Sequence, residues 1–494
     1  MLHRTLHATL VAVSVALAVV LAAAAAAAAQ VPLTRVFADP YTNDTSQHAT
    51  AVEPDTFAAG ATVVVVTQSG RFFDGGASGI GYASSKDGGA TWAGGTLPGI
   101  TPYLPGGGGT YDRVSDPAVA FDARDGVWLV ASLPIQADTS VPAVLVSRST
   151  DGGTTFGAPV TVTTAAAGHN VDKTWIACDN STTSPFYGRC YATWDDNTDG
   201  DRLEVSTSSD GGLTWGPALE PAGGPTGLGG QPVVQPNGTV IIPAGDAILS
   251  SIISFRSVDG GASWEGAVDV ASAQTHLEDG GLRSEPLPSA GVDAAGRVYV
   301  AWQDCRFRAG CSGNDIVLST TADGVAWTPP VRVPIGTITD GHDNFIPGLA
   351  VDETTSGATS RVGITFYSYD VSACGSSCAL KAGYIQSGDG GATWSTVTDV
   401  AAPFGVAAIA NTSQGQMVGD YISTSWVDTP NGRRAYGAFA AAAAPPAGTA
   451  FDEAIYVPTG GLNATGVAAS AGRASRAGTA RAHAATRSAP VARR

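Results

Sequence analysis

Short apolar runs separated by polar turns fill the middle of the chain. The segment SDPAVAFDARDGVWLVAS (115–132) is an apolar strand, a turn rich in Asp and Gly, and a second apolar strand. SEPLPSAGVDAAGRVYVAW (284–302) and IPGLAVDETTSGATSRVGITFY (346–367) repeat that plan, and looser copies lie at 48–67, 172–194, 231–244 and 416–440. A third strand follows each hairpin, as in AVLVSRS (143–149) and RLEVSTS (202–208). Next comes a short phrase, SKDGGATW at 85–92, and a fourth strand opening on its aromatic residue.

The phrase recurs as STDGGTTF (149–156), SSDGGLTW (208–215), SVDGGASW (257–264) and SGDGGATW (387–394), with a shortened copy TADGVAW (321–327). Recurrence at a period of 49 to 66 residues implies stacked or radially repeated units. Four antiparallel strands per unit predict an all-β chain forming a single β-propeller. Seven hairpins predict seven blades, and six phrases leave six as the alternative. The seventh unit (416–459) has three strands, so LTRVF(A) at 33–38 is expected to close the ring and cover an unpaired edge.

In each phrase the Asp can accept hydrogen bonds from turn N–H groups, and the glycines can take backbone angles other residues resist. The closing Trp is a large apolar plug suited to burial between sheets. The pattern Ser-x-Asp-x-Gly-x-Thr-Trp resembles the Asp-box, or bacterial neuraminidase repeat, of the sialidase superfamily, over roughly residues 33–460. DKTW (172–175), WQD (302–304) and GDY (419–421) are similar to segments of secreted bacterial members. The resemblance implies the propeller but not one activity, since Asp-boxes also occur in non-sialidase glycosidases, in lyases and in binding propellers.

Composition separates the ends from the repeats. Residues 1–29 carry Arg4, an apolar run from Leu10 to Leu21 and an alanine tract, the pattern of a secretory signal peptide cleaved after Ala29. Residues 463–494 hold Ala, Gly, Ser, Thr and six arginines without aromatics, which predicts a disordered tail. Residues 30–462 remain as the propeller. The formal charge is −17 overall, and about −24 in the body without leader and tail. Such a body is poorly suited to nucleic acid. No second apolar span follows the leader, so no membrane span is expected, and the protein is read as an extracellular monomer. The cysteines form three close pairs, Cys178/Cys190, Cys305/Cys311 and Cys374/Cys378, read as disulfides rather than zinc ligands because no CxxC is present.

In such a ring, the loops leading into each first strand and those joining second to third strands emerge together around the axis. The lead-in segments are polar: Gln47 and His48; Asp112, Arg113 and Asp116; His169, Asp172 and Lys173; Arg283 and Glu285; His342, Asp343 and Asn344; Asp420 and Tyr421. Convergent polar groups in a concave mouth define the default site. The resemblance implies a sugar carboxylate held by three arginines, a Tyr nucleophile activated by Glu, and an Asp acid/base. By placement, Arg113, Arg283 and Arg306 are the candidate arginines, joined by Lys173, His169, His342 and Asp420 in substrate binding. Tyr421 is the candidate nucleophile, beside Tyr367 and Tyr369, with Glu285 as its partner and Asp116 or Asp343 as acid.

Asp195, Asn197, Asp199 and Asp201 in DDNTDGD match the first half of a calcium loop, but Ser206 stands where the bidentate Glu is expected. No cofactor is required by this reading, and the acidic stretch reads as an ordinary turn, with a Ca²⁺ site as the alternative. Three functions remain open: an exo-glycosidase releasing a terminal acidic sugar, a non-catalytic propeller binding glycan or protein, and a polysaccharide lyase using His169 or His342 with a Tyr.

Overall fold

The computed structural model describes residues 31–104 and 108–463. The signal peptide expected over 1–29 and all but the first residue of the tail expected over 463–494 lie outside them. Strand follows strand throughout, interrupted by single-turn 3₁₀ segments, and the architecture is a β-propeller. Among the described residues there are five sheets of four or more strands, one of three, and a two-stranded ribbon at Asn411–Thr412 and Gly415–Gln416.

The eight-stranded sheet consists of two up-and-down units. Ala51–Ala59, Thr62–Arg71, Ala77–Ser85 and Ala93–Thr96 make the first; Arg113–Asp122, Val127–Ile135, Ala143–Ser149 and Val160–Thr164 make the second. A single residue pair, Ala77 with Val114, joins them. The strand Leu33–Phe37 pairs antiparallel with Glu453–Pro458, so the first described strand lies beside the last. The hydrophobic core is divided into clusters between neighbouring sheets, built around Trp128, Trp194, Trp302, Tyr299 and Tyr436.

The recurring phrase is a hydrogen-bonded fastener. Asp87 accepts from the N–H groups of Ala90 (3.1 Å) and Thr91 (2.9 Å) and from the Thr91 hydroxyl (2.6 Å), while Ser85 Oγ accepts from Gly89 N at 2.9 Å. Asp151, Asp210, Asp259 and Asp389 repeat the bond to the residue four positions on, at 2.8–3.0 Å. In the shortened copy Asp323 accepts instead from Val325 and Ala326. The Thr393 hydroxyl and N–H hold the Asp389 carboxyl down at about 2. Gly88 and Gly89 take φ of 72° and 80°, where a Cβ would be strained. Cations of the preceding unit donate to carbonyls of the next fastener: Lys86 to Asp151, Arg148 to Gly211, Arg189 to Gly260 and Arg256 to Asp323. Local turn chemistry thereby ties one sheet to its neighbour.

All six cysteines are paired, Cys178 with Cys190, Cys305 with Cys311 and Cys374 with Cys378. No helix among the described residues is long and apolar enough to cross a membrane.

Candidate functional site

Four innermost strands share one backbone device. Their pairing slips between Val52 and Asp55, Ser115 and Ala118, Asp172 and Trp175, and Phe345 and Gly348. At each slip a non-glycine residue takes the left-handed conformation: Glu53 (φ 55°), Asp116 (52°), Lys173 (50°) and Ile346 (47°). Residues in this region cost on the order of 1–3 kcal/mol and persist where their surroundings over-determine them. A bulge re-aims a side chain that would otherwise alternate between faces. In three of the four the next residue is proline (Pro54, Pro117, Pro347), which adds no N–H to satisfy.

The bulges gather a charged cluster at the axial mouth. Lys173 and Arg283 both donate to one oxygen of Asp420. Glu53 and Asp116 lie beside that trio, and Glu53 Oε1 accepts from Asp420 N at 3.2 Å. Arg71, buried, donates to Gln68 and approaches Met417 Sδ at 3.1 Å. Burial would push the Asp420 carboxyl up, but Arg283 and Lys173 outweigh it and hold the group well below the usual range. Burial, reinforced by Asp116 and Asp420, raises Glu53 to about 8. Burial and Asp172 raise Asp116 to about 6. One buried oxygen each of Glu53, Asp116, Glu285 and Asp420 has no hydrogen-bond partner. Arg283 and Glu285 form the solvent-facing layer, and Arg283 also reaches Gln414 on the ribbon 411–416.

Gly419 completes this packing. Its φ is 134°, and a Cβ there would lie 2.7 Å from Glu53 Cα. Beneath the cluster, Trp175 and Tyr421 meet edge to face with centroids 4.8 Å apart. Trp175 and the residues below it line an axial channel of about 540 Å³ that runs to Asn180, Asp293 and Arg433, at the turns of the opposite face. The channel and the charged mouth are therefore different places, and the channel has ionisable lining of its own in Asp55, Asp293, Glu353 and Arg433.

The sequence-predicted residues divide accordingly. Arg283, Lys173, Asp420, Asp116 and Glu285 come together. Arg113 does not join them: it donates to Asp74 (2.6 Å) and stacks over Phe72. Arg306 turns back onto Asp304 at 2.7 Å. The expected three-arginine cluster is thus reduced to Arg283, with Lys173 and Arg71 as the other cations. His169 pairs with Asp196 (2.6 Å), and His342 lies near Asp340 and Asp370.

Tyr421 is unsuited to the nucleophilic role expected of it. It is buried, its hydroxyl donates to Pro117 O at 3.0 Å, and burial together with Glu53 and Asp116 disfavours the phenolate. Tyr367 is likewise sealed, donating to Ala440 O. Asp116 lies beneath the surface layer. Asp343 is fully buried between His276 and Asn314 N and has no direct path to a substrate.

The calcium-loop residues do not gather as one set of four, although Asp195 and Asp201 interact with each other and with Asp172. Asp196 caps the 3₁₀ turn Asn197–Asp199, Asp199 turns out to Arg202 (2.7 Å), and Asp195 points into the interior beside Asp172. No group of three or more His, Cys, Asp or Glu among the described residues could hold a metal ion.

Glu53, Arg71, His276 and Glu278 were not anticipated. A signal for Glu53 exists: Glu53-Pro54 stands at the same place in its hairpin as Asp116-Pro117. Arg71 and Glu278 carry no such mark.

No protein family profile and no curated protein matches the chain. Solved structures do. A protein of unknown function from Dyadobacter fermentans DSM 18053 is 17% identical with a TM-score of 0.45, over 72% of this chain and 98% of that one. The Hadza microbial sialidase Hz136 is 14% identical with a TM-score of 0.43, over 77% and 73%. The NanB sialidase from Streptococcus pneumoniae is 12% identical with a TM-score of 0.43, over 86% and 70%. None of these likenesses assigns a role to a residue of this chain.

Proposed function

We propose that this chain is a secreted Asp-box propeller that acts on glycans as an exo-glycosidase releasing a terminal acidic sugar. The carrying observation is the axial mouth, where segments remote in sequence bring Arg283, Lys173, Asp420 and Glu285 together over a layer of buried carboxyls. The part-exposed guanidinium of Arg283 suits a sugar carboxylate. Glu285 sits beside Lys173 and Arg283, and its buried Oε2 has no hydrogen-bond partner. It is the carboxylate member of the pair that glycoside hydrolysis uses.

For the fold, this reading counts seven units, the eight-stranded sheet being two of them and the three-stranded sheet one. Leu33–Phe37 closes the ring. Its pairing with Glu453–Pro458 supports that closure. Export is supported by the three disulfides, which persist in oxidising compartments.

A non-catalytic, partner-binding propeller is the second reading. It is favoured by the exposed Phe73, Leu277 and Val371 on loops of the mouth face. The test is a panel of fluorogenic glycosides containing a sialoside and a uronide, assayed with wild type, Arg283→Ala and Glu285→Gln. Release by wild type and a loss of at least ~100-fold in both variants is expected, in the range that positioned catalytic groups contribute. No release from any acidic glycoside by wild type sinks the enzymatic reading.

A further inference from the structure

Beside the mouth lies a second constellation that the charged cluster does not use. The loop from Ala273 to Pro288 crosses the mouth face before entering its sheet. Asn314 fixes its course: the Asn314 side chain accepts from His276 N (2.8 Å) and donates to His276 O (2.8 Å). Asn314 Nδ2 also donates to Glu278 Oε1 at 2.8 Å, and Gln303 Nε2 donates to the same oxygen at 2.9 Å. Gln303 Nε2 reaches Ser284 Oγ at 3.0 Å as well, so one side chain links Glu278 to the segment bearing Arg283 and Glu285.

Hydrolysis of a glycoside requires two carboxyl groups with different duties, one charged and one carrying a proton. Environments that push two acids apart assign those duties. Burial raises Glu285 as well, with Asp420 and Asp172 adding to it, but Lys173 and Arg283 beside it favour its charged form. The groups facing Glu278 are Asp343, the amides of Asn314 and Gln303, and the Ser284 hydroxyl. Across Asp343 lies His276, whose Nδ1 is 2.9 Å from that carboxylate, and Tyr369 closes the far side. The donors around Glu278, from Asn314, Gln303 and Ser284, are all neutral.

We propose that Glu278 is the proton donor of the reaction at the mouth, held in orientation by Gln303 and Asn314, with Asp343 and His276 as positioning residues behind it. This rests on the glycosidase reading above. Glu278 gives its proton to the glycosidic oxygen as the bond from that oxygen to the anomeric carbon breaks and its electron pair passes to the leaving group. A water oxygen bonds to the anomeric carbon, and its proton goes to Glu285. Solvent then restores both groups. Burial, with Asp343 next, raises Glu278 to about 8, which keeps the proton in place at neutral pH.

Two measurements test this. Glu278→Gln preserves an acceptor for both amides and removes the acid. With an alkyl glycoside of an acidic sugar, whose leaving group needs a proton, kcat is expected to fall at least ~100-fold. With the 4-methylumbelliferyl glycoside of the same sugar, whose leaving group departs unaided, the fall is expected to stay within ~10-fold. Equal losses on both substrates overturn the assignment of Glu278 and leave the glycosidase reading standing. Absence of turnover by wild type overturns both.

Independently, a water-soluble carbodiimide with glycinamide should label Glu278 of the wild-type protein at neutral pH, read by peptide mass, with labelling fading as pH rises past about 8. A Glu278 that stays unlabelled is one no glycosidic oxygen can reach, and the proposal then fails.

Discussion

Replacing Asp420 by Asn should be the most damaging single change at the mouth short of a core deletion. Asp420 accepts from both Lys173 and Arg283; its side chain is 1% exposed and that of Lys173 8% exposed. Two unit charges about 4 Å apart attract by about 4 kcal/mol at an effective dielectric of 20. Arg283 is partly solvated, so its share is smaller. The larger effect is desolvation: the variant keeps a buried ammonium and a half-buried guanidinium with no counter-charge between them. Breaking a buried pair from one side typically costs about 3–5 kcal/mol. For a unit of roughly 430 residues, with an unfolding entropy near 2.1 cal/mol/K per residue, that lowers Tm by about 3–5 °C.

The assay is thermal and urea unfolding of wild type, Asp420→Asn, Lys173→Met and the double variant. The double variant should cost at least ~2 kcal/mol less than the sum of the singles, because each single orphans what the other removes. The pH dependence follows from sign. Asp420 is depressed in the folded protein, so its contribution is present in full above the unfolded value near 3.9 and is lost as pH falls toward the folded one. The Asp420→Asn penalty should hold steady from pH 5 to 7 and shrink below pH 4. Additive single costs, or a penalty under ~1 kcal/mol at pH 7, would refute the reasoning.

Glu53 titrates in the opposite sense: folded Glu53 keeps its proton up to about 8, whereas the unfolded group loses it near 4.3. Its contribution therefore falls as pH rises between those values, and Glu53→Gln should gain on wild type steadily from pH 5 to 8 in urea unfolding. A constant difference across that window would count against it. Gly419→Ala should destabilise by at least ~2 kcal/mol, because a methyl group at φ 134° meets the Glu53 backbone, with Tm shifts as the check. Chelator should leave Tm unchanged, since Asp195 and Asp199 face different ways; a drop reversed by calcium would show that the acidic turn binds after all.

The repeated unit, its fastener and the cysteine pairing were legible in the chain because each is local. The Asp of a fastener bonds to residues three and four positions away, and the disulfides span 12, 6 and 4 residues. Composition and spacing suffice when both partners of an interaction lie in one short window. Topology extended that reach to the face on which Lys173, Arg283, Glu285 and Asp420 would emerge.

What the sequence could not decide was how far each side chain stands from the axis and which partner takes it. Arg113, Arg283 and Arg306 look alike in their loops. Yet Arg283 finds Asp420, 137 positions away, while Arg306 folds onto Asp304, two residues back. The Lys173–Asp420 contact spans 247 positions. Burial is likewise collective. It sealed Tyr421 against Pro117, withdrew Asp343 behind His276, and left Glu278, in a loop of no distinctive composition, linked through Gln303 to Ser284 of the Arg283 segment. Charge pairing and desolvation depend on all neighbours at once, and those neighbours come from strands that only the folded chain brings together.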